Sequence, residues 1–171
     1  AIALARLFGL QLIVTCGSAA KCDRARQLGA AQAINYRSED FVEEVRRITG
    51  GGGVDVVLDM VGGDYLPRNL QCLAEDGRHV SIAVQGGAKA ELNIAQVMTR
   101  RLTLTGSTLR PRSVEFKTLL AEEIARHVWP HVEQGRLRPV MDQTFRLEEA
   151  AAAHALMEAG EHVGKIVLVT T

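Results

Sequence analysis

The stretch Leu12-Ile13-Val14-Thr15-Cys16-Gly17-Ser18-Ala19-Ala20-Lys21 decides the fold. Residues 12–16 are a short apolar run bounded by turn formers, the pattern of a buried strand. Gly17-Ser18 ends the run; Ser18 is placed to cap a helix reaching to about Leu28, and Gly29 stops that helix. A strand that turns directly into a helix is the repeating half of a βαβ unit, and the pattern recurs downstream. Gln32-Ala33-Ile34-Asn35 reads as a second strand. Ser38 is expected to cap the next helix, whose apolar face is Phe41, Val42, Val45 and Ile48 and which the Gly50-Gly51-Gly52-Gly53 run ends. Val54-Asp55-Val56-Val57-Leu58-Asp59 is a third strand, followed by a helix over 65–73 that ends near Asp76-Gly77. A fourth strand is expected over 79–84 and a fifth over 102–105. Strands alternating with helices of this length predict an α/β fold, a doubly wound parallel sheet covered on both faces.

Beyond Gly106 the pattern changes. Residues 113–134 read as one long helix, interrupted or kinked near Pro130. A strand over 144–146, an Ala-rich helix over 147–158 and a strand Lys165-Ile166-Val167-Leu168-Val169 then form a separate strand-helix-strand. At the other end, Ala1-Ile2-Ala3-Leu4-Ala5-Arg6-Leu7 has helical periodicity with no initiator Met and no cap, so the sheet is expected to be truncated at its N-terminus. A sheet lacking its central strand has unpaired edges. The expected remedies are direct pairing of the strand at 12–16 with that at 54–59, or exchange of elements with a second copy.

Bulk properties exclude several classes. The 171 residues carry 20 basic and 20 acidic side chains, so no global field favours nucleic acid or an anionic membrane. There is no apolar run of about 18 residues to span a bilayer. Cys16, Cys22 and Cys72 form no CxxC pair, which favours a reducing, cytoplasmic setting over a disulfide framework. His127 and His131 are four apart but Pro130 lies between them and no HExxH is formed; His79, His154 and His162 have no neighbouring cluster. No metal site is expected.

Ligands of open α/β sheets bind beyond the carboxyl ends of the strands. After the first strand, an NAD-binding sheet usually offers a carboxylate to the adenosine ribose hydroxyls. Here Gly17, Ser18 and, one turn on, Lys21 stand in that place. Helix N-terminal amides and an ammonium suit a 2′-phosphate, which a carboxylate would repel. On this reading the cofactor is NADPH. Lys21 as an ordinary solvated surface lysine is the competing interpretation. Arg24, a turn further along, is expected to face water. Tyr36 follows the second strand, either beside the adenosine or simply covering the sheet edge. Met60, in Asp59-Met60-Val61-Gly62-Gly63, and Ile82, Ala83, Val84 and Gln85 end the third and fourth strands at small-residue turns where a ligand can approach the backbone.

In order and spacing, these segments resemble the medium-chain dehydrogenase/reductase superfamily, and within it the zeta-crystallin-like NADPH:quinone oxidoreductases. The resemblance is carried by Gly17-Ser18-Ala19-Ala20-Lys21, Leu28-Gly29-Ala30, Ile34-Asn35-Tyr36, Glu39-Asp40-Phe41, the run from Gly53 to Gly63, the segment from Leu73 to Gly77, Leu104-Thr105-Gly106-Ser107-Thr108-Leu109-Arg110 and Gly164-Lys165-Ile166-Val167-Leu168. It implies an incomplete NADP-binding Rossmann domain over 1–136 and, over 137–171, the C-terminal segment of a GroES-like catalytic domain. It implies that Gly17, Ser18 and Lys21 hold the 2′-phosphate and Tyr36 the adenosine side. Met60 and residues 82–85 would run along the nucleotide, with Leu109 near the nicotinamide. It further implies a homodimer joined through the strand at 102–105, and hydride transfer to a quinone or another activated carbonyl or enone. The catalytic residues stay unassigned. Some relatives place an Arg near position 160, where this chain has Gly160. The alternatives left open are a zinc-type alcohol dehydrogenase or enoyl reductase of the same superfamily, and a non-catalytic, crystallin-like nucleotide-binding protein. Another Rossmann enzyme such as a methyltransferase would place an acidic residue after Cys16, where none stands.

Overall fold

The computed structural model describes residues 1–170. The elements run α1 (Ile2–Leu7), β1 (Ile13–Cys16), α2 (Ala19–Leu28), β2 (Gln32–Asn35), α3 (Phe41–Ile48), β3 (Val54–Asp59), α4 (Tyr65–Cys72) and β4 (Leu73–Ser81). They continue with α5 (Ile94–Thr99), β5 (Thr103–Gly106), α6 (Val114–His127), α7 (Trp129–Glu133), β6 (Met141–Arg146), a 3₁₀ turn (Leu147–Glu149), α8 (Ala150–Ala159) and β7 (Lys165–Val169). The α/β alternation is as expected. Among the described residues the strands form three sheets, β1–β2, β3–β4–β5 and β6–β7. β1 and β3 therefore belong to different sheets, and the direct pairing of 12–16 with 54–59 is not made.

The chain divides into two compact units, Ala1–Ala33 with the chain from Glu122 onward, and Ile34–Ala121. In the first, Cys22, Ala25, Ala30 and Ala33 form a buried cluster against which Ile2, Val14 and Cys16 pack. Small residues there let α2 lie close to β1. Ser18 caps α2 through its hydroxyl, which accepts from the Lys21 amide at 3.3 Å. Gly29 ends the helix in the left-handed region, at φ 106, where a side chain is strained. β6 and β7 pair in parallel, with Phe145 opposite Leu168. The long helix expected over 113–134 is interrupted just before Pro130, giving two helices. α6 stops at His127, and α7 begins at Trp129 with Pro130 in its first turn, where the missing N–H costs nothing.

In the second unit β3, β4 and β5 run parallel, with Val57 opposite His79 and His79 opposite Leu104. Leu70, Leu73 and Leu102 are its most buried apolar cluster, packed by Val54, Val57, Leu66, Val97 and Leu104. Three expectations are corrected here. Asp40, not Ser38, caps α3, its carboxylate accepting from the Val42 and Glu43 amides; those bonds, first of all, hold its pKa below the usual carboxylate range. The fourth strand begins at Leu73 rather than 79, because Asp76-Gly77, which reads as a turn, is a bulge inside it. The register jumps from Val54↔Leu73 to Val56↔Arg78, and Asp76 sits at φ 61 with its amide on the Arg100 carbonyl. That strand ends at Ser81, so Ile82, Ala83 and Val84 lie in the turn beyond it. α5, capped by Asn93, was not foreseen.

Candidate functional site

Gly17, Ser18 and Lys21 share one turn of the first unit, where β1 feeds α2. The first amides of α2 have no intrahelical partner, and the positive end of the helix dipole lies there. No carboxylate follows β1; the nearest in sequence, Asp23, is paired with Arg26 at 2.9 Å. The Lys21 ammonium is engaged in this structure, donating to the carbonyl of Gly160 at the C-terminal end of α8. Gly160 is in the left-handed region at φ 65, and a Cβ there would meet nothing within 4 Å. Position 160 thus contributes a backbone oxygen. Arg24 faces outward onto Gln27. The thiol of Cys16 is pushed up from its ordinary value, by burial first and then by the neighbouring Cys22, and its side chain packs against the Cys22 cluster.

In the second unit the turns after β3 and β4 are joined by their backbones. The Ile82 amide donates to the Asp59 carbonyl at 2.8 Å, Gln85 to Met60 at 3.1 Å and Gly86 to Val61 at 2.7 Å. Gly62 and Gly87 form a further parallel bridge. The approach demands glycine. A Cβ on Gly62, at φ +69, would lie 2.6 Å from the Gly87 carbonyl, and one on Gly63 2.8 Å from that of Gly86. Met60 and residues 82–85 are therefore brought together as one backbone ladder. The side chains of Met60, Ile82 and Val84 are exposed beside it, at 48%, 43% and 53%. Ala83 is half-buried, and Gln85 enters through its amide. Tyr36, exposed just after β2, and Leu109, exposed beyond β5, lie outside the ladder.

Sequence reasoning missed two residues here. Asp59 and His79 are 4% and 1% exposed. His79 Nε2 lies 3.2 Å from the Asp59 carboxylate, a close polar contact without the direction of a hydrogen bond. His79 does have a polar neighbour, on the adjacent strand. The available signal was one ionisable residue in each of two apolar strands. Among the described residues no three His, Cys, Asp or Glu side chains converge to hold a metal ion.

Comparison with known proteins finds relatives along nearly the whole chain. Residues 28–168 match the zinc-binding dehydrogenase family. The chain is 35% identical to a 2-haloacrylate reductase of a Burkholderia species, over 96% of this chain and 50% of that protein. The crystal structure of Escherichia coli quinone oxidoreductase complexed with NADPH superposes with a TM-score of 0.81 at 31% identity, over 98% of this chain and 52% of that one. A structure described as an NAD-dependent alcohol dehydrogenase superposes at 0.79 with 37% identity, over 99% and 47%. The chain spans about half the length, or less, of the curated relatives it matches.

Proposed function

The chain belongs to the zinc-binding dehydrogenase family, and from that premise we propose that it is the cofactor-binding part of an NADPH-dependent reductase whose acceptor is a quinone or another activated carbonyl or enone. One observation carries the cofactor choice. The turn after β1 presents Ser18, free helix amides and Lys21 with no carboxylate among them. A 2′-phosphate is favoured by that arrangement and a bare ribose diol gains nothing from it. The match to a quinone oxidoreductase complexed with NADPH supports the same reading.

When bound, NADPH supplies the hydride. This chain's residues bind and orient. Gly17 lets the backbone approach, and Ser18 keeps the first turn of α2 open. Lys21 neutralises phosphate charge. Met60 and residues 82–85 flank the nucleotide with backbone groups and apolar side chains, while Tyr36 and Leu109 serve its adenosine and nicotinamide ends. To reach a phosphate, Lys21 must leave the Gly160 carbonyl, so its net contribution falls at the low end of the usual range. The same proposal includes a homodimer through the open edge of β5, residues 1–136 as the cofactor domain with 137–171 returning to a catalytic domain, and a cytoplasmic setting. No helix among the described residues is long and apolar enough to cross a membrane.

The similarity to an NAD-dependent enzyme favours one rival, use of NADH. Competitive titration of the intact protein with NADPH and NADH, with and without Lys21→Ala, separates the two. The expected loss is about 1–1.5 kcal/mol of NADPH binding, the low end of the usual range, with NADH spared. Preference for NADH by the intact protein, or equal loss of both nucleotides, refutes the assignment.

A further inference from the structure

Asp59 is the last residue of β3, and a buried carboxylate is tolerated only when its oxygens are met by donors. Its Oδ1 accepts from the Val61 amide at 2.7 Å and the Gly62 amide at 3.2 Å, and Oδ2 is a further 3.2 Å from that Gly62 amide. His79 backs the same carboxylate from β4 at 3.2 Å. The two amides that Asp59 holds belong to the residues whose own backbones carry the ladder. The Val61 carbonyl takes the Gly86 amide, and the adjoining Met60 carbonyl takes the Gln85 amide. Gly62 pairs with Gly87. One buried carboxylate thus aims the outgoing turn of β3, and that turn sets the turn after β4.

We propose that Asp59, backed by His79, is a positioning residue for nucleotide binding: it fixes the backbone of residues 60–62 and, through it, that of residues 82–87. The proposal rests on the reading of Met60 and residues 82–85 as the nucleotide's flank. It does not require Asp59 to touch the cofactor. A purely local role would tie down the amides of Val61 and Gly62 and nothing else.

The test is amide hydrogen exchange on the intact protein without nucleotide, together with steady-state kinetics using NADPH and 1,4-benzoquinone. In Asp59→Ala, exchange should accelerate at least tenfold at Val61, Gly62, Gln85 and Gly86. KM for NADPH should rise at least tenfold, with KM for the quinone moving less than threefold. Asp59→Asn should recover part of both effects, because its oxygen still accepts from the Val61 and Gly62 amides, while its nitrogen, facing His79, no longer accepts from Gly62. Acceleration confined to Val61 and Gly62, or an unmoved KM for NADPH, overturns the proposal. Should Asp59→Ala fail to fold, His79→Phe decides the matter: faster exchange at Gln85 and Gly86 with a raised KM supports the pair, and unchanged exchange there overturns it. A wild-type protein that does not oxidise NADPH would sink the functional reading instead. The nucleotide-free exchange pattern would then carry or overturn the coupling by itself.

Discussion

The turn after β1 and the joined turns after β3 and β4 are both strand-to-helix or strand-to-loop passages rich in small residues, yet they are built differently. The first is made of side chains. Ser18 caps, Lys21 reaches out to a carbonyl, and neither is sealed from water. The second is made of backbone. Three amide-to-carbonyl bonds and a glycine bridge lock it, and its one essential side chain, Asp59, is buried. Chemistry that selects a ligand by charge can sit on an open, replaceable side chain. Chemistry that shapes a surface needs atoms that cannot move, and these come from close-packed main chain. The first region should therefore tolerate mutation in stability while changing in selectivity, and the second should do the reverse.

The sharpest way to break that contrast is Gly62→Ala. The new Cβ would meet the Gly87 carbonyl at 2.6 Å in a left-handed backbone, so we expect a loss of about 3 kcal/mol in urea unfolding of this chain. Lys21→Ala should stay within about 0.5 kcal/mol of wild type, as exposed substitutions do. If Gly62→Ala costs no more than Lys21→Ala, the distinction between the two regions collapses.

A second comparison uses the thiol of Cys72, at the C-terminal end of α4, which burial pushes up to about 11 from 9.0. Between those values the unfolded chain ionises this thiol and the folded chain does not. Its contribution is therefore complete below pH 9 and is lost as pH rises through 11. The stability advantage of wild type over Cys72→Ala should shrink across that window by about 2 kcal/mol. An advantage that is constant from pH 8 to 11 would mean that the thiol is open to water, and the packing described around α4 would need revision.

What was legible in the sequence follows the same division. Ser18, Gly29 and the apolar runs of β1, β3 and β7 act through local rules of capping and periodicity, and the structure has them where those rules put them. The failures are non-local. Asp76-Gly77 reads as a turn, but pairing with β3 and the ion pair of Asp76 with Arg101 at 2.8 Å turn it into a bulge within β4. Ser38 and Asp40 are both good caps, and the stacking of Phe41 on Tyr65 with Arg68 over the Phe41 ring accompanies the later start. Asp59 and His79 are 20 residues apart, and only the parallel register of β3 and β4 makes them neighbours. No periodicity announces such a pair. The Gly160 carbonyl on Lys21 is equally invisible, because the acceptor is main chain.

The smallest effects on stability test the first region most finely. Ser18→Ala removes one capping bond and should cost about 1 kcal/mol, measured by thermal unfolding of this chain. Ser18→Asp should cost almost nothing, because Asp caps a helix as well as Ser does and its charge favours the N-terminus. The same carboxylate stands where a 2′-phosphate would be held. In the intact protein it should weaken NADPH while leaving or improving NADH, with no change in folding to confuse the result. Two variants at one position thereby separate the cap from the charge. Loss of NADPH selectivity in Ser18→Ala as severe as in Ser18→Asp would show that helix geometry, rather than the absence of an acid, governs the choice of cofactor.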